Sequence, residues 1–189
     1  MADAVNVLCI CGSLRKGSYN GALARASMKL APPGMVISLS RSIGDFPLYN
    51  HDVQASSGFP APASELAAAM RTADGILICT PEYNWSIPGV LKNAIDWVSR
   101  MKDQPFAGKP VALQSAATGL LGGSRAQYHL RQSLTSLDVY FFGRPEVIVT
   151  FAAQKFDETT LELKDQSTID LIKQQLAMFE KFVRKMTGK

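Results

Sequence analysis

The stretch Gly12-Ser13-Leu14-Arg15-Lys16-Gly17-Ser18-Tyr19-Asn20 decides how this chain is read. Before it lies an apolar run, Ala4–Cys11, rich in β-branched and aliphatic residues. After it, residues 21–30 carry apolar side chains at helical spacing. A buried strand followed by a helix is the first β-α unit of an open sheet, and the nine quoted residues span the turn between them. A helix N-terminus at that point presents N–H groups without partners and the positive end of its dipole, which together attract anions. The turn adds hydroxyls at Ser13 and Ser18, an amide at Asn20 and a guanidinium at Arg15, all able to donate to a phosphate oxygen.

Two common phosphate-binding templates fail here. A Walker A loop needs Lys-Ser or Lys-Thr directly after its second glycine. Gly12 and Gly17 have the right separation, but Ser18 stands where the lysine belongs. The dinucleotide fingerprint Gly-x-Gly-x-x-Gly is also absent, and no acidic residue ends a second strand about twenty positions on. Hydroxyls with one arginine suit a terminal phosphate held without Mg²⁺, as on a mononucleotide such as FMN. An ordinary polar turn accounts for the loop equally well at this stage.

The 189 residues, 47% hydrophobic and 19% charged, are those of a soluble globular protein, and the length predicts one domain over 1–189. No apolar run reaches the length of a membrane span and no N-terminal signal pattern is present, so a cytoplasmic chain with no membrane partner is expected. The net charge is +4, with Lys and Arg scattered, which argues against a nucleic-acid footprint. A mildly positive surface favours anionic small molecules, nicotinamide nucleotides included, or is simply a solvated surface. Cys9, Cys11 and Cys79 match neither a zinc spacing nor a Cys-x-x-Cys motif. Cys9 and Cys11 lie two apart on a strand and share a face, which reads as buried structural thiols. His51 falls in a loop and His129 on a helix with no ligand cluster around them, so no metal is expected.

Along the chain, strands are predicted at 5–11, 35–40, 75–80, 110–115 and 147–151, and helices near 20–31, 62–72, 88–100, 124–137 and 166–186. The Gly/Ser/Pro/Ala-rich stretch 55–63 reads as a loop. The runs at 5–11 and 75–80 are continuously apolar, as parallel strands covered on both faces require. The last helix shows Ile169, Ile172, Leu176, Phe179, Val183 and Met186 at steps of three and four, one amphipathic face. Strict alternation of strands and helices predicts an α/β doubly wound sheet with helices on both faces. Five strands in this length suit the flavodoxin-like order 2-1-3-4-5. The order reverses between strands 1 and 3, so a ligand is expected where loops 12–20 and 81–89 meet.

Strand 3 leads into Pro81-Glu82-Tyr83-Asn84-Trp85-Ser86-Ile87-Pro88-Gly89. Prolines stiffen this loop, and its aromatic faces beside polar groups are what a flat heteroaromatic ring needs. A rigid connector with packed aromatics is the alternative. Leu91, Ala94, Ile95 and Val98 form the core stripe of the next helix, and Trp97 reads as packing or subunit contact. Strand 4 leads into Ala116-Ala117-Thr118-Gly119-Leu120-Leu121-Gly122-Gly123-Ser124, small enough for backbone to approach a flat ligand. Ser124 can also cap the following helix.

These residues, taken together, resemble the NAD(P)H-dependent FMN reductase family. The likeness rests on residues 12–20, on Pro-Glu-Tyr-Asn at 81–84 and on Ser-Ile-Pro-Gly-Val-Leu-Lys-Asn-Ala-Ile-Asp-Trp at 86–97. Gly-Lys-Pro-Val-Ala at 108–112 and Arg-Ala-Gln-Tyr-His-Leu-Arg at 125–131 extend it toward the quinone and chromate reductase branch. The resemblance implies an FMN phosphate held by Ser13, Leu14, Arg15, Lys16, Gly17, Ser18, Tyr19 and Asn20, with Ser13, Arg15, Ser18 and Asn20 as side-chain donors. It implies an isoalloxazine bordered by Pro81, Glu82, Tyr83, Asn84 and Trp85, with Ala117, Gly119 and Ser124 completing the pocket. It further implies a homodimer or homotetramer in contact through helices 88–100 and 124–137, with Arg125, Tyr128 and Glu146 as polar contacts. Trp85 departs from the family pattern, since relatives often carry a basic residue or a tyrosine there, and it should reshape the mouth over the flavin.

The activity so implied is a hydride relay. NAD(P)H reduces the flavin, leaves, and an acceptor (quinones, with azo compounds, free flavin or chromate as others) takes its place. The cofactor carries the chemistry, so no catalytic side chain is required. The rival is a flavodoxin, a one-electron carrier that needs a partner reductase. A basic chain with Arg15-Lys16 in its phosphate loop is unlike the acidic flavodoxins.

Overall fold

The computed structural model describes residues 3–189. Its centre is a parallel sheet. β1 (Val5–Cys11) lies between β2 (Met35–Leu39) and β3 (Gly75–Cys79), and β4 (Pro110–Ala116) follows β3. The order is 2-1-3-4-5, as the alternation predicted. Every residue of β3 and β4 is buried, which is why β3 reads as an unbroken apolar run, while in β4 the buried Gln114 is satisfied by Ser27 and Gln175.

The fifth position corrects the sequence reading, which placed one strand over 147–151. Two short strands share it. β5 (Tyr140–Phe141) pairs with the start of β4, and β6 (Val147–Val149) pairs with its end. Between them stands Pro145, which has no N–H to give to a ladder, so the edge is interrupted there.

Side chains of β1 alternate between two cores. Val5, Val7 and Cys9 meet Leu23 of α1 (Tyr19–Lys29) and Ile172, Leu176 and Phe179 of α7 (Gln166–Thr187). Leu8 and Ile10 meet Met70 of α3 (Ala61–Thr72), Ile95 of α4 (Gly89–Val98) and Leu130 of α5 (Ser124–Thr135). The α4 stripe Leu91, Ala94, Ile95 and Val98 is buried as expected, and Trp97 proves to be packing. It is fully buried, its Nε1 donates to the Pro47 carbonyl at 2.8 Å, and its ring meets Tyr49 edge-on at 5.0 Å.

Two short helices were not anticipated. α6 (Ala152–Lys155) is one turn. α2 (His51–Ser57) takes in 55–57, read from sequence as loop, and puts His51 at a helix start. Asn50 caps it by accepting from Asp52 N at 2.9 Å. None of its residues is buried, so no apolar period was there to read.

The thiols are free, and Cys9 and Cys79 are buried with their sulfurs 3.9 Å apart. The hydrogen bond with Cys9, together with burial, pushes the Cys79 thiol well above its ordinary value, and burial pushes up half-buried Cys11. Stability contributed by these shifts is full below the ordinary value of 9.0 and is lost as pH rises past it. Iodoacetamide should therefore alkylate Cys11 slowly at pH 7 and spare Cys9 and Cys79 until the fold loosens at alkaline pH. Mass spectrometry of the labelled native protein checks this, and rapid neutral-pH labelling of all three would refute it.

Candidate functional site

β1, β3 and β4 end side by side, and the loops that follow them touch. Gly12 N donates to the Cys79 carbonyl at 2.8 Å. A Cβ at Gly12 would stand 3.0 Å from Thr80 Oγ1 and 3.2 Å from a Leu91 methyl, so only glycine lets the first loop lie this close to the third. Gly123 approaches Ser115 in the same way, with a φ of +89°. These close approaches bring 12–18, 80–88 and 117–123 together at the reversal of strand order, where open α/β sheets bind ligands.

The first loop carries charge without partners. Arg15 and Lys16 are exposed, and neither meets a carboxylate among the described residues. With Ser13 and Arg25 they line a cavity of about 290 Å³. Ser18 is the N-cap of α1, and its Oγ accepts from Asn20 N at 3.2 Å and Gly21 N at 3.3 Å. Arg25 follows Gly21 by one helical turn and so shares its face, a spacing that could have found it from sequence.

The third loop is a tight turn. Tyr83 and Ser86 exchange backbone hydrogen bonds of 2.9 and 3.0 Å, and Asn84 and Trp85 between them hold φ of +49° and +67°. Positive φ at both central residues is the type I′ pattern, one that Asn tolerates and Trp does not favour. Glu82 Oε2 accepts from Ala126 N at 3.2 Å, so a side chain of this loop caps α5. With Ala117, Gly119, Gly122 and Arg125 it lines a second cavity, of about 510 Å³. A further cavity of about 450 Å³, floored by Leu8, Phe46 and Leu66 between β2 and α3, holds none of the site residues singled out from sequence and shares residues 39–42 with the first cavity.

The model of a family described as NADPH-dependent FMN reductase matches residues 5–154. The chain belongs to that family. A quinone reductase of Escherichia coli (strain K12) is 48% identical over 186 residues, 98% of this chain and 99% of that one. An NAD(P)H-dependent FMN reductase of Pseudomonas aeruginosa is 48% identical over the full length of both chains. Among solved structures, FerB, a flavoenzyme NAD(P)H:(acceptor) oxidoreductase from Paracoccus denitrificans, aligns with a TM-score of 0.86 at 32% identity, covering 97% of this chain and 99% of that one.

In this FMN reductase family member the residues singled out from sequence divide into those facing the cavities and those committed elsewhere. Ser13, Leu14, Arg15 and Lys16 line the first cavity; Glu82, Ala117 and Gly119 line the second. Gly17 is half-buried in the turn, and Pro81 is buried with its carbonyl accepting from the Thr80 hydroxyl. Tyr83, Asn84 and Trp85 form the turn just described. Tyr19 packs on Phe156 at 5.5 Å, with the Arg15 guanidinium 5.9 Å from its ring centre. The Asn20 side chain is buried and engaged, with Nδ2 donating to Ala116 O at 2.8 Å and Oδ1 accepting from Ala116 N at 2.9 Å. It ties α1 to the end of β4, which commits the carbonyl oxygen and one of the two Nδ2 hydrogens to the strand. Ser124 does not cap α5; Gly123 occupies the cap position with no side-chain bond, and Glu82 supplies the acceptor instead. Of the polar contacts implied for a subunit interface, Arg125 lies 3.7 Å from Glu82, Glu146 lies 3.7 Å from Arg131, and Tyr128 is exposed.

No group of three or more His, Cys, Asp or Glu among the described residues could hold a metal. No helix among them is long and apolar enough to cross a membrane.

Proposed function

We propose that this protein is an FMN-dependent NAD(P)H oxidoreductase that reduces quinones, with azo compounds, free flavin and chromate as further acceptors. The observation that carries the reading is the loop Ser13–Ser18. It is cationic and unpaired at a helix N-terminus, and it lies against the third loop at the sheet's reversal point. That donor set fits a terminal phosphate at one end, and the small-residue wall 117–123 fits a flat ring at the other.

Bound FMN would supply the two-electron chemistry, taking hydride from NAD(P)H and passing it to the acceptor. The chain's part is to hold and orient. Ser13, Arg15 and Lys16 would hold the phosphate, with the positive end of the α1 dipole behind them. The Glu82–Ala126 bond fixes the third loop against α5, so that loop would offer a flat ring a fixed wall. Backbone N–H groups of these loops would offset the negative charge of a reduced flavin, as in an oxyanion hole. Donor and acceptor use the cavity in turn, which gives ping-pong kinetics. We place this activity in the cytoplasm, where NAD(P)H is supplied, and in a homodimer or homotetramer with the exposed face of α5 as contact.

The purified protein should be yellow and should oxidise NADH or NADPH directly when offered a quinone. A colourless protein that takes up no FMN would refute the reading. FMN uptake with no direct NAD(P)H oxidation would make it a carrier instead. Arg15→Ala should weaken FMN binding by about 10- to 100-fold, the range for a lost charge-assisted hydrogen bond, measured by fluorescence titration of the apoprotein.

A further inference from the structure

We propose, resting on the reductase reading above, that the adenosine end of the nicotinamide nucleotide binds in the cavity between β2 and α3, with Arg41 on its phosphates.

The charge around the first loop exceeds what one phosphate needs. The cavity there is lined by Arg15, Lys16, Arg25 and Arg41 and by no carboxylate. A flavin phosphate brings about two negative charges at pH 7, for which Ser13, Arg15 and Lys16 suffice. Arg25 and Arg41 are left over. Arg25 meets no carboxylate among the described residues. Arg41 is paired only with Glu65, at 2.7 Å, and its side chain is 86% exposed. An ion pair so open to water holds its members weakly. The guanidinium can therefore turn from Glu65 to a phosphate, which it takes bidentately.

The shape of the neighbouring cavity says what that phosphate is attached to. Leu39, Ser40, Arg41 and Ser42 line both cavities, so one opens beside the other. The second holds about 450 Å³, within the range of small-ligand sites, and has an apolar floor of Leu8, Phe46 and Leu66. Its opening follows from the sheet. Leu8 and Ser38 are partners across β1 and β2, so their side chains face the same way. α3 packs on Leu8 and leaves Ser38 exposed. On α3, Ala61, Glu65 and Ala69 recur at steps of four and line the cavity from one helix face. The two alanines leave room on either side of the carboxylate. An apolar floor suits the face of a purine, while Ser38, Asp45 and Glu65 at the rim offer acceptors to its amine and to ribose hydroxyls. A flat polar base next to phosphates is an adenylate. None of the residues lining either cavity belongs to α4 or α5, the helices assigned to the subunit contact.

Stopped-flow reduction of the FMN-loaded protein tests the assignment with three hydride donors: NADPH, NADH and 1-benzyl-1,4-dihydronicotinamide, which has neither phosphate nor adenosine. The variants are Arg41→Gln and Arg41→Lys. The ratio of NADPH to benzyl donor, each as rate constant over Kd, should fall about 10- to 100-fold in Arg41→Gln and less in Arg41→Lys, which keeps the charge. A fall for NADPH alone puts Arg41 on the 2′-phosphate, and an equal fall for NADH puts it on the diphosphate. The same change for all three donors, or none, overturns the proposal.

Calorimetry of FMN-loaded protein with 5′-ADP and adenosine gives a readout apart from turnover. In Arg41→Gln, ADP should lose at least tenfold more affinity than adenosine. In Ala69→Phe, which puts a ring into the cavity, both should lose at least tenfold. Ala61→Trp does the same from an exposed position if Ala69→Phe does not fold. Equal losses of ADP and adenosine in Arg41→Gln, unchanged binding in the filled variants, or a wild-type protein that binds neither ligand overturns the proposal. Loaded protein that oxidised no NAD(P)H would sink the reductase reading alone, and the calorimetry would still decide what the cavity takes.

Discussion

Asn20→Ala should destabilise the protein by about 3 kcal/mol, because it strands two buried backbone groups at once. For a chain of this size that corresponds to a Tm lower by about 6–12 °C. The amide of Asn20 both donates to and accepts from Ala116, 96 residues away, at 2.8 and 2.9 Å. Asn20 is 3% exposed, so water does not replace the lost partner. The same bonds set the spacing between the first loop and the end of β4. FMN affinity should therefore fall along with stability. Asn20→Asp should not rescue, since a carboxylate facing the Ala116 carbonyl repels it where the amide N–H attracts. A thermal melt and an FMN titration on both variants check this. Loss of FMN binding with an unchanged Tm would mean the amide serves the phosphate directly, as the sequence alone had implied.

Gly122→Ala should cost about 2–5 kcal/mol, summing left-handed backbone strain and overpacking. Its φ is +57°, and a Cβ there would lie 2.6 Å from an Ile148 methyl, 3.0 Å from Val149 C and 3.1 Å from Thr150 N. Two of those contacts are backbone atoms of the sheet edge, which do not yield by a rotamer change. The loop would have to lift from β6, and the wall of the larger cavity would move with it. Gly119→Ala is the matched control: nothing lies within 4 Å of its Cβ and its φ is ordinary, so a stability change within about 0.5 kcal/mol is expected. Chemical denaturation of the pair checks both. Equal stability of the two variants would refute the packing argument for Gly122.

The strand order and the two-sided core were legible because they are encoded locally. β3 and β4 are runs of buried residues, and the α7 stripe from Ile172 to Val183 repeats at helical period. Each pattern states which side must leave water, and an alternating chain of such elements has few ways to close. The split fifth position was missed because Tyr140–Phe141 is two residues long, below any period. α2 was missed because it buries nothing.

Residue types at the site were legible too; their partners were not. From sequence, Asn20, Glu82, Ser124 and Arg125 are a set of polar groups near glycines. Only tertiary structure assigns Asn20 to β4, gives the cap of α5 to Glu82 in place of Ser124, and lays Arg125 on Trp85. Burial of apolar side chains is nearly non-directional and is written into periodicity along the chain. A hydrogen bond or a cation–π contact depends on an atom within a few ångströms, and here that atom comes from 40 to 96 residues away.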